Sequence, residues 1–139
     1  MQKDIIYIHS DGGSRGNPGP AACAFVAELE GKIIKKQSKF LGSSTNNVAE
    51  YEGVLLATKW VLEEKVNSLV DEILFYLDSE LVVKQLIGEY KIKKPELQSI
   101  NLTILKNIKN SGIKFHFKHV PREQNKVADF LVNEELDLH

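Results

Sequence analysis

Three β-rich segments stand back to back in the first third of the chain, and helix-like and strand-like segments alternate after them, an order that leaves few ways to assemble a sheet. Residues 4–10 (DIIYIHS), 21–29 (AACAFVAEL) and 32–41 (KIIKKQSKFL) are short, bounded by glycines and rich in β-formers, with Glu30 and Gly31 as a tight hairpin turn between the last two. From Asn46 or Asn47, both good caps, the run VAEYEGVLLATKWVLEEK has helical spacing and ends near Lys65. Residues 72–77 (EILFYL) read as a buried strand, SELVVKQLIG as a short helix, and Pro95 as the start of another helix through about Lys109. Gly112 precedes the strand IKFHFKHV, and a last helix covers roughly Gln124 to Leu138. The order βββαβααβα predicts an antiparallel meander followed by strands that join in parallel through right-handed crossovers. The expected fold is α/β, a five-stranded mixed sheet flanked by helices, with KIKKPELQ (91–98) as its most mobile connection.

At 139 residues and 42% hydrophobic content the chain supports one core, so a single domain over 1–139 is expected. No stretch approaches the roughly 18 apolar residues of a membrane helix. The start MQKDIIYIHSDGG carries acids and a strand pattern where a signal peptide would be apolar, so the expected location is the cytoplasm, and the expected state a monomer. Cys23, the only cysteine, lies in an apolar run, which excludes a disulfide within the chain and reads as core. The glycosylation-like NLT at Asn101 to Thr103 is incidental without a secretory route.

Four acids interrupt apolar faces: Asp11, Glu50, Asp78 and Asp129, each where a strand ends or a helix begins, and no loop holds more than one. Glu50 shares a helical face with Val54, Ala57 and Val61, and Asp129 shares one with Val132 and Leu136. Asp11 follows Tyr7 and His9 in strand alternation ahead of a glycine-rich loop, and Asp78 directly follows ILFYL. Strand ends of such sheets gather ligands. Any one of these acids could be a cap or a core-edge ion pair, but four together repel one another unless a cation sits among them. Oxygen-only ligation favours Mg²⁺ or Mn²⁺ over zinc, and the chemistry that set best supports is phosphodiester hydrolysis. The formal net charge is −1, and without these four acids the rest of the chain carries +3. Basic clusters at Lys32, Lys35, Lys36 and Lys39, at Lys84, Lys91, Lys93 and Lys94, and at Lys114, Lys118, Arg122 and Lys126 could meet phosphates or simply face solvent.

DGGSRGNPGP (11–20), TNNVAEYEG (45–53), LDSELV (77–82) and HVPREQNKVAD (119–129) together resemble the ribonuclease H family, its ribonuclease HI branch, in order and spacing over nearly the whole chain. The resemblance implies that Asp11, Glu50, Asp78 and Asp129 bind two Mg²⁺ ions, with Mn²⁺ as a substitute, and cut the RNA strand of an RNA·DNA hybrid internally, leaving 5′-phosphate and 3′-hydroxyl ends. Gly12, Gly13 and Gly16 allow close backbone approach, so main-chain groups from Gly12 to Ser14 could read ribose 2′-hydroxyls. Asn17 and Thr45 match the family's phosphate pocket, Asn46 and Asn47 suit minor-groove edges or capping, and Glu80 and Asn125 fall at further nucleic-acid contacts. Glu80 stands where the family often has glutamine.

Two departures matter. The family's glycine-flanked loop histidine is replaced by VPREQN, where either Arg122 holds the scissile phosphate or His119 serves; the pattern favours Arg122, with His119 ending the strand, and His9, His116 and His139 read as incidental. The basic helical protrusion of some members is missing, so hybrid affinity is expected to rest on the core surface and fall with salt. A 3′–5′ exonuclease does not fit the DGGSRGNPG loop, a non-catalytic binding module would not need all four acids, and double-stranded RNA stays open as a second substrate.

Overall fold

The computed structural model describes residues 4–139; the first three residues of the expected domain and of the strand-patterned start lie outside the described residues. Strands β1 (Ile5–Ser14), β2 (Gly19–Leu29) and β3 (Lys32–Ser44) form the antiparallel meander, turning at Glu30 and Gly31, which have φ of 53° and 77°. Helix α1 (Asn46–Glu63) crosses to β4 (Glu72–Leu77), parallel to β1; α2 (Glu80–Leu86) and α3 (Pro95–Ser111) cross to β5 (Lys114–His119), parallel to β4; and α4 (Lys126–Asp137) closes the order. The sheet reads β3-β2-β1-β4-β5, so the order and pairing anticipated from the sequence hold. Among the described residues no helix is long and apolar enough to cross a membrane.

Several boundaries differ from the sequence reading. Strand β1 runs on through Gly12 and Gly13, which pair with Cys23 and Ala22, because what reads as a glycine loop is ladder-bonded strand. Gly12 also makes room for α1: a Cβ there would collide with the Ala49 carbonyl. Strand β3 extends to Ser44 through two register shifts, and Gly42, at φ 75°, looks like a stop in sequence but passes the chain through a bulge. The cap of α1 is neither Asn46 nor Asn47 but Thr45, whose Oγ1 accepts from the Val48 amide at 3.2 Å. At the segment 91–98, Gln85 of α2 donates to the Lys91 carbonyl at 3.3 Å, and within it Gln98 donates to the Ile92 carbonyl at 2.7 Å.

The pleat divides the side chains of the sheet. Ile6, Ile8, Phe25, Ile73 and Phe75 face α1, where they meet Val54, Ala57 and Val61, and α3 adds Leu97 and Ile104. Each such side chain, once buried, contributes roughly 1.5–3 kcal/mol. On the opposite face α4 lays Val132 and Leu136 over Ala22 and Ala24, small residues that admit a helix closely. Cys23 is fully buried, as expected. Strands β3 and β5 are the edges, and β3 bears Lys32, Lys35, Lys36 and Lys39 beside exposed Ile33 and Ile34.

Candidate active site

Asp11 lies opposite Ala24 across the β1–β2 ladder, which places it on the α4 side of the sheet. The parallel register that sets His9 beside Tyr76 brings Asp78, the first residue past β4, level with Asp11. Ser79 then starts α2 by accepting from the Val82 amide at 3.3 Å, so the backbone at Asp78 is fixed from both sides. Glu50 comes from the first half of α1. That helix lies tight on β1 because residues 12 and 53 are glycine: a Cβ on Gly53 would sit 2.8 Å from the Asp11 carbonyl oxygen. Carboxylate oxygens of Asp11, Glu50 and Asp78 lie within 4.8 Å of one another. Asp129, in the first turn of α4, stands outside that triad on the wall of the same cleft.

The triad is costly without a cation. Burial pushes the Asp11 carboxyl up to about 6; the charges of Asp78 and Asp129 add to the rise, against hydrogen bonds with Glu50 and Gly12. Glu50 is held well above the ordinary carboxylate range, by burial first and then by Asp11 and Asp78. Asp11 and Glu50 are only 7% and 8% exposed, so water does little to relieve them. Glu50 Oε1 accepts from the Gly12 amide at 3.2 Å, whereas Oε2 is buried with no partner among the described residues. A buried acceptor in that condition costs about 1–3 kcal/mol. The donor set is all carboxylate, and a hard divalent cation fits it.

Around the acids the cleft is lined by Gly12, Gly13 and Ser14 of β1, by Asn46 and Asn47 of α1, and by Arg122 in the one-turn 3₁₀ segment before α4. Asn46 Oδ1 accepts from both the amide and the hydroxyl of Ser14, at 2.9 and 3.2 Å, locking the strand end to the helix start. Asn17 and Thr45 stand behind this rim: Asn17 Oδ1 accepts from the Asn46 amide at 3.0 Å. Glu80 is exposed and does not line the cleft. Asn125 is buried and is not part of the cleft lining. It is 1% exposed and donates Nδ2 to the Ser10 carbonyl at 2.8 Å, tying the pre-α4 loop to β1, while its Oδ1 is buried with no partner among the described residues. Of the two loop candidates, Arg122 faces the acids and His119 faces a separate depression with Tyr7, His9 and Tyr76. His116 pairs with Glu72 at 3.1 Å and His139 stacks on Phe40.

Sequence reasoning missed Arg15 and Asn133, which also line the cleft. Arg15 bonds Asp137 Oδ1 at 2.6 Å and the Asn133 carbonyl at 3.4 Å, and Asn133 Nδ2 donates to the carbonyl and Oδ1 of Asp129 at 3.1 and 3.5 Å. The available signals were an arginine inside the glycine-rich motif and an asparagine one helical turn after Asp129.

A parallel–antiparallel sheet with an acidic cleft at its centre, entered beside a glycine-rich strand end, is the architecture of a metal-dependent nuclease fold. The family model described as reverse transcriptase-like matches residues 9–135. The bifunctional protein Rv2228c of Mycobacterium tuberculosis is 34% identical over 135 residues, with 95% of this chain and 35% of that protein covered, so this chain spans about a third of that relative. Ribonuclease HI of Halobacterium salinarum is 36% identical over 133 residues, covering 95% of this chain and 64% of that protein. The crystal structure of LC11-RNase H1 in complex with an RNA/DNA hybrid superposes with a TM-score of 0.89 at 42% identity, covering 95% of this chain and 96% of that one. The chain belongs to the ribonuclease H family, in its ribonuclease HI branch.

Proposed function

We propose that this chain is a monomeric, cytoplasmic endoribonuclease that hydrolyses the RNA strand of RNA·DNA hybrids to 5′-phosphate and 3′-hydroxyl ends, the whole of residues 1–139 acting as one unit. The observation that carries the reading is the buried triad of Asp11, Glu50 and Asp78, with a Glu50 oxygen that has no partner among the described residues, set beside the glycine-rich end of β1 in one cleft. Relatives support it: one is named ribonuclease HI, and another was solved with an RNA/DNA hybrid.

Asp11, Glu50, Asp78 and Asp129 would hold two Mg²⁺ ions, or Mn²⁺ in their place, which supply an activated water and stabilise the charge on the attacking and leaving oxygens. Gly12, Gly13 and Ser14 line the cleft with little side-chain bulk, which lets an RNA strand come close enough for its ribose 2′-hydroxyls, the groups that tell RNA from DNA, to be read there. Asn46 and Asn47 offer short donors and acceptors to the minor groove, and Asn17 and Thr45, behind them, fit a phosphate of the DNA strand. Arg122, a fixed cation facing the acids, holds the scissile phosphate and offsets its charge as the phosphorus centre becomes more negative. Glu80 lies farther out and touches only a duplex that extends past the cleft.

The test is cleavage of an end-labelled RNA·DNA hybrid with Mg²⁺ or Mn²⁺, beside the Asp11→Asn variant, single-stranded RNA and double-stranded RNA. Internal, metal-dependent cuts in hybrid RNA, lost in the variant, support the reading; binding without cleavage under either metal would sink it.

A further inference from the structure

The α4 side of the sheet carries a second feature that the proposed chemistry does not use. Tyr7 and His9 of β1 and Tyr76 of β4 lie together on this face, with His9 next to the start of α4. The Tyr7 and Tyr76 rings are parallel to within 8° with centroids 6.3 Å apart, and His9 lies 4.8 Å from Tyr76 at 31°. Tyr7 is 38% exposed, so this is an aromatic floor open to solvent and not a covered core. Lys118, next to Tyr76 in the β4–β5 register, and His119 form one wall, and Pro121 and Gln124 form another. Glu28 is the one acid lining the depression, while the nearby Glu72 is paired with His116. Lys118 is the lysine that lines the depression, on the β5 side of the rings and across from Glu28.

We infer that this face is a second nucleic-acid site that takes an unpaired strand, RNA or DNA, with bases stacked on Tyr7, His9 and Tyr76 and phosphates drawn to Lys118. The rings select the ligand. A duplex hides its base faces in its own stack, whereas an unpaired strand offers them to flat aromatic surfaces regardless of sequence. Location adds a second reason. Tyr7, His9 and Asp11 alternate along β1, so the nearest ring is two residues, about 7 Å, from the acid at the cleft centre, on the same face of the sheet. Only the 121–124 segment stands between, with Arg122 facing the acids and Pro121 and Gln124 facing the rings. A single-stranded overhang continuing from a duplex in the cleft would run onto this floor. That last placement rests on the proposed activity; the binding of a single strand does not.

The experiment is fluorescence anisotropy of labelled oligo(U) and oligo(dT) with the whole chain in EDTA at low salt, so that no cleavage enters. Tyr7→Ala and Tyr76→Ala should each weaken binding roughly fivefold or more, and Tyr7→Phe and Tyr76→Phe should retain it, since stacking needs the ring and not the hydroxyl. The phenylalanine variants also separate lost stacking from misfolding. Lys118→Gln should weaken both oligomers and flatten the salt dependence. Similar affinities for the two oligomers fit stacking; a strong preference for oligo(U) adds ribose recognition to it. Absence of single-strand binding by the unaltered chain, undiminished binding by a folded Tyr7→Ala/Tyr76→Ala protein, or a blunt-ended hybrid that depends on the rings as much as the single strands do would overturn the inference.

Discussion

Gly12 donates its amide to Oε1 of Glu50 at 3.2 Å, while Oε2 of the same carboxylate is buried with no partner among the described residues. Replacing Glu50 with glutamine keeps the accepting oxygen and removes the charge. Glu50→Gln should lower the hybrid cleavage rate a hundredfold or more, because several kcal/mol of charge stabilisation depend on a full carboxylate set. In EDTA the same variant should be more stable than the parent by about 1–3 kcal/mol, since the repulsion with Asp11 and Asp78 and the unbonded oxygen are both relieved. Activity and urea unfolding measured on one preparation check the two opposite signs; equal loss of both would refute the account.

Asp11 gives the metal-free protein a distinctive pH response. Its folded pKa, about 6, lies above the ordinary 3.8, so below pH 4 both states hold the proton and its contribution to stability is fully present. As pH rises through 6 the unfolded chain has already released the proton while the folded chain pays to do so, and about 3 kcal/mol is lost at roughly 1.4 kcal/mol per unit. Thermal unfolding in EDTA across pH 4 to 8, taken as the difference between the parent and Asp11→Asn, should show this fall, and Mg²⁺ should reverse it. A flat difference would show that burial is not costing Asp11 its charge.

Asp129 depends on a chain of side chains that begins at Arg15, just past the end of β1. The Arg15–Asp137 ion pair is 48% and 67% exposed, so it adds under about 1 kcal/mol to stability. Its importance lies in Asn133, held between Arg15 and Asp129. Asn133→Ala should reduce kcat about 10- to 100-fold with KM for the hybrid little changed, and should raise the Mg²⁺ concentration needed for half-maximal rate. A drop in the unfolding midpoint that fully accounts for the lost activity would refute a positioning role.

Gly53 has no room for a side chain. Gly53→Ala would press a methyl group against the Asp11 carbonyl at 2.8 Å, and should cost about 1–3 kcal/mol of stability while displacing Glu50 with its helix. Gly31→Ala is the contrast: among the described residues nothing lies within 4 Å of its Cβ, and the cost is confined to the strain of φ 77°, roughly 1–2 kcal/mol. Urea titration gives both numbers, and cleavage should fall only in Gly53→Ala.

Periodicity carried the order βββαβααβα and the pairing, because each long element keeps one apolar face against one core. It failed where a residue's local meaning and its tertiary use diverge. Gly12 and Gly13 read as loop because a strand seldom tolerates them; at Gly12 the helix needs the missing side chain more than the strand needs bulk. Asn46 is as good a cap as Thr45 in isolation, but its side chain is taken by Ser14, a contact 32 residues away in sequence. Asp11, Glu50 and Asp78 were legible as acids on apolar faces, whereas the looser position of Asp129 and the support from Arg15 and Asn133 depend on how α4 crosses the sheet. Arg122 and His119 could not be separated by spacing alone; three residues apart, they end in different depressions.

Strand β3 is a sheet edge that pairs lysines with two exposed isoleucines, Ile33 and Ile34. Charge on an edge keeps other strands from adding to it, but only while that charge is unscreened. This lends the protein a colloidal dependence on its surroundings: high salt, or a polyanion in excess that coats Lys32, Lys35, Lys36 and Lys39, strips the guard from the isoleucines and favours edge-to-edge self-association. Solubility in dilute buffer and solubility in a crowd of nucleic acid are then two different properties of the same strand.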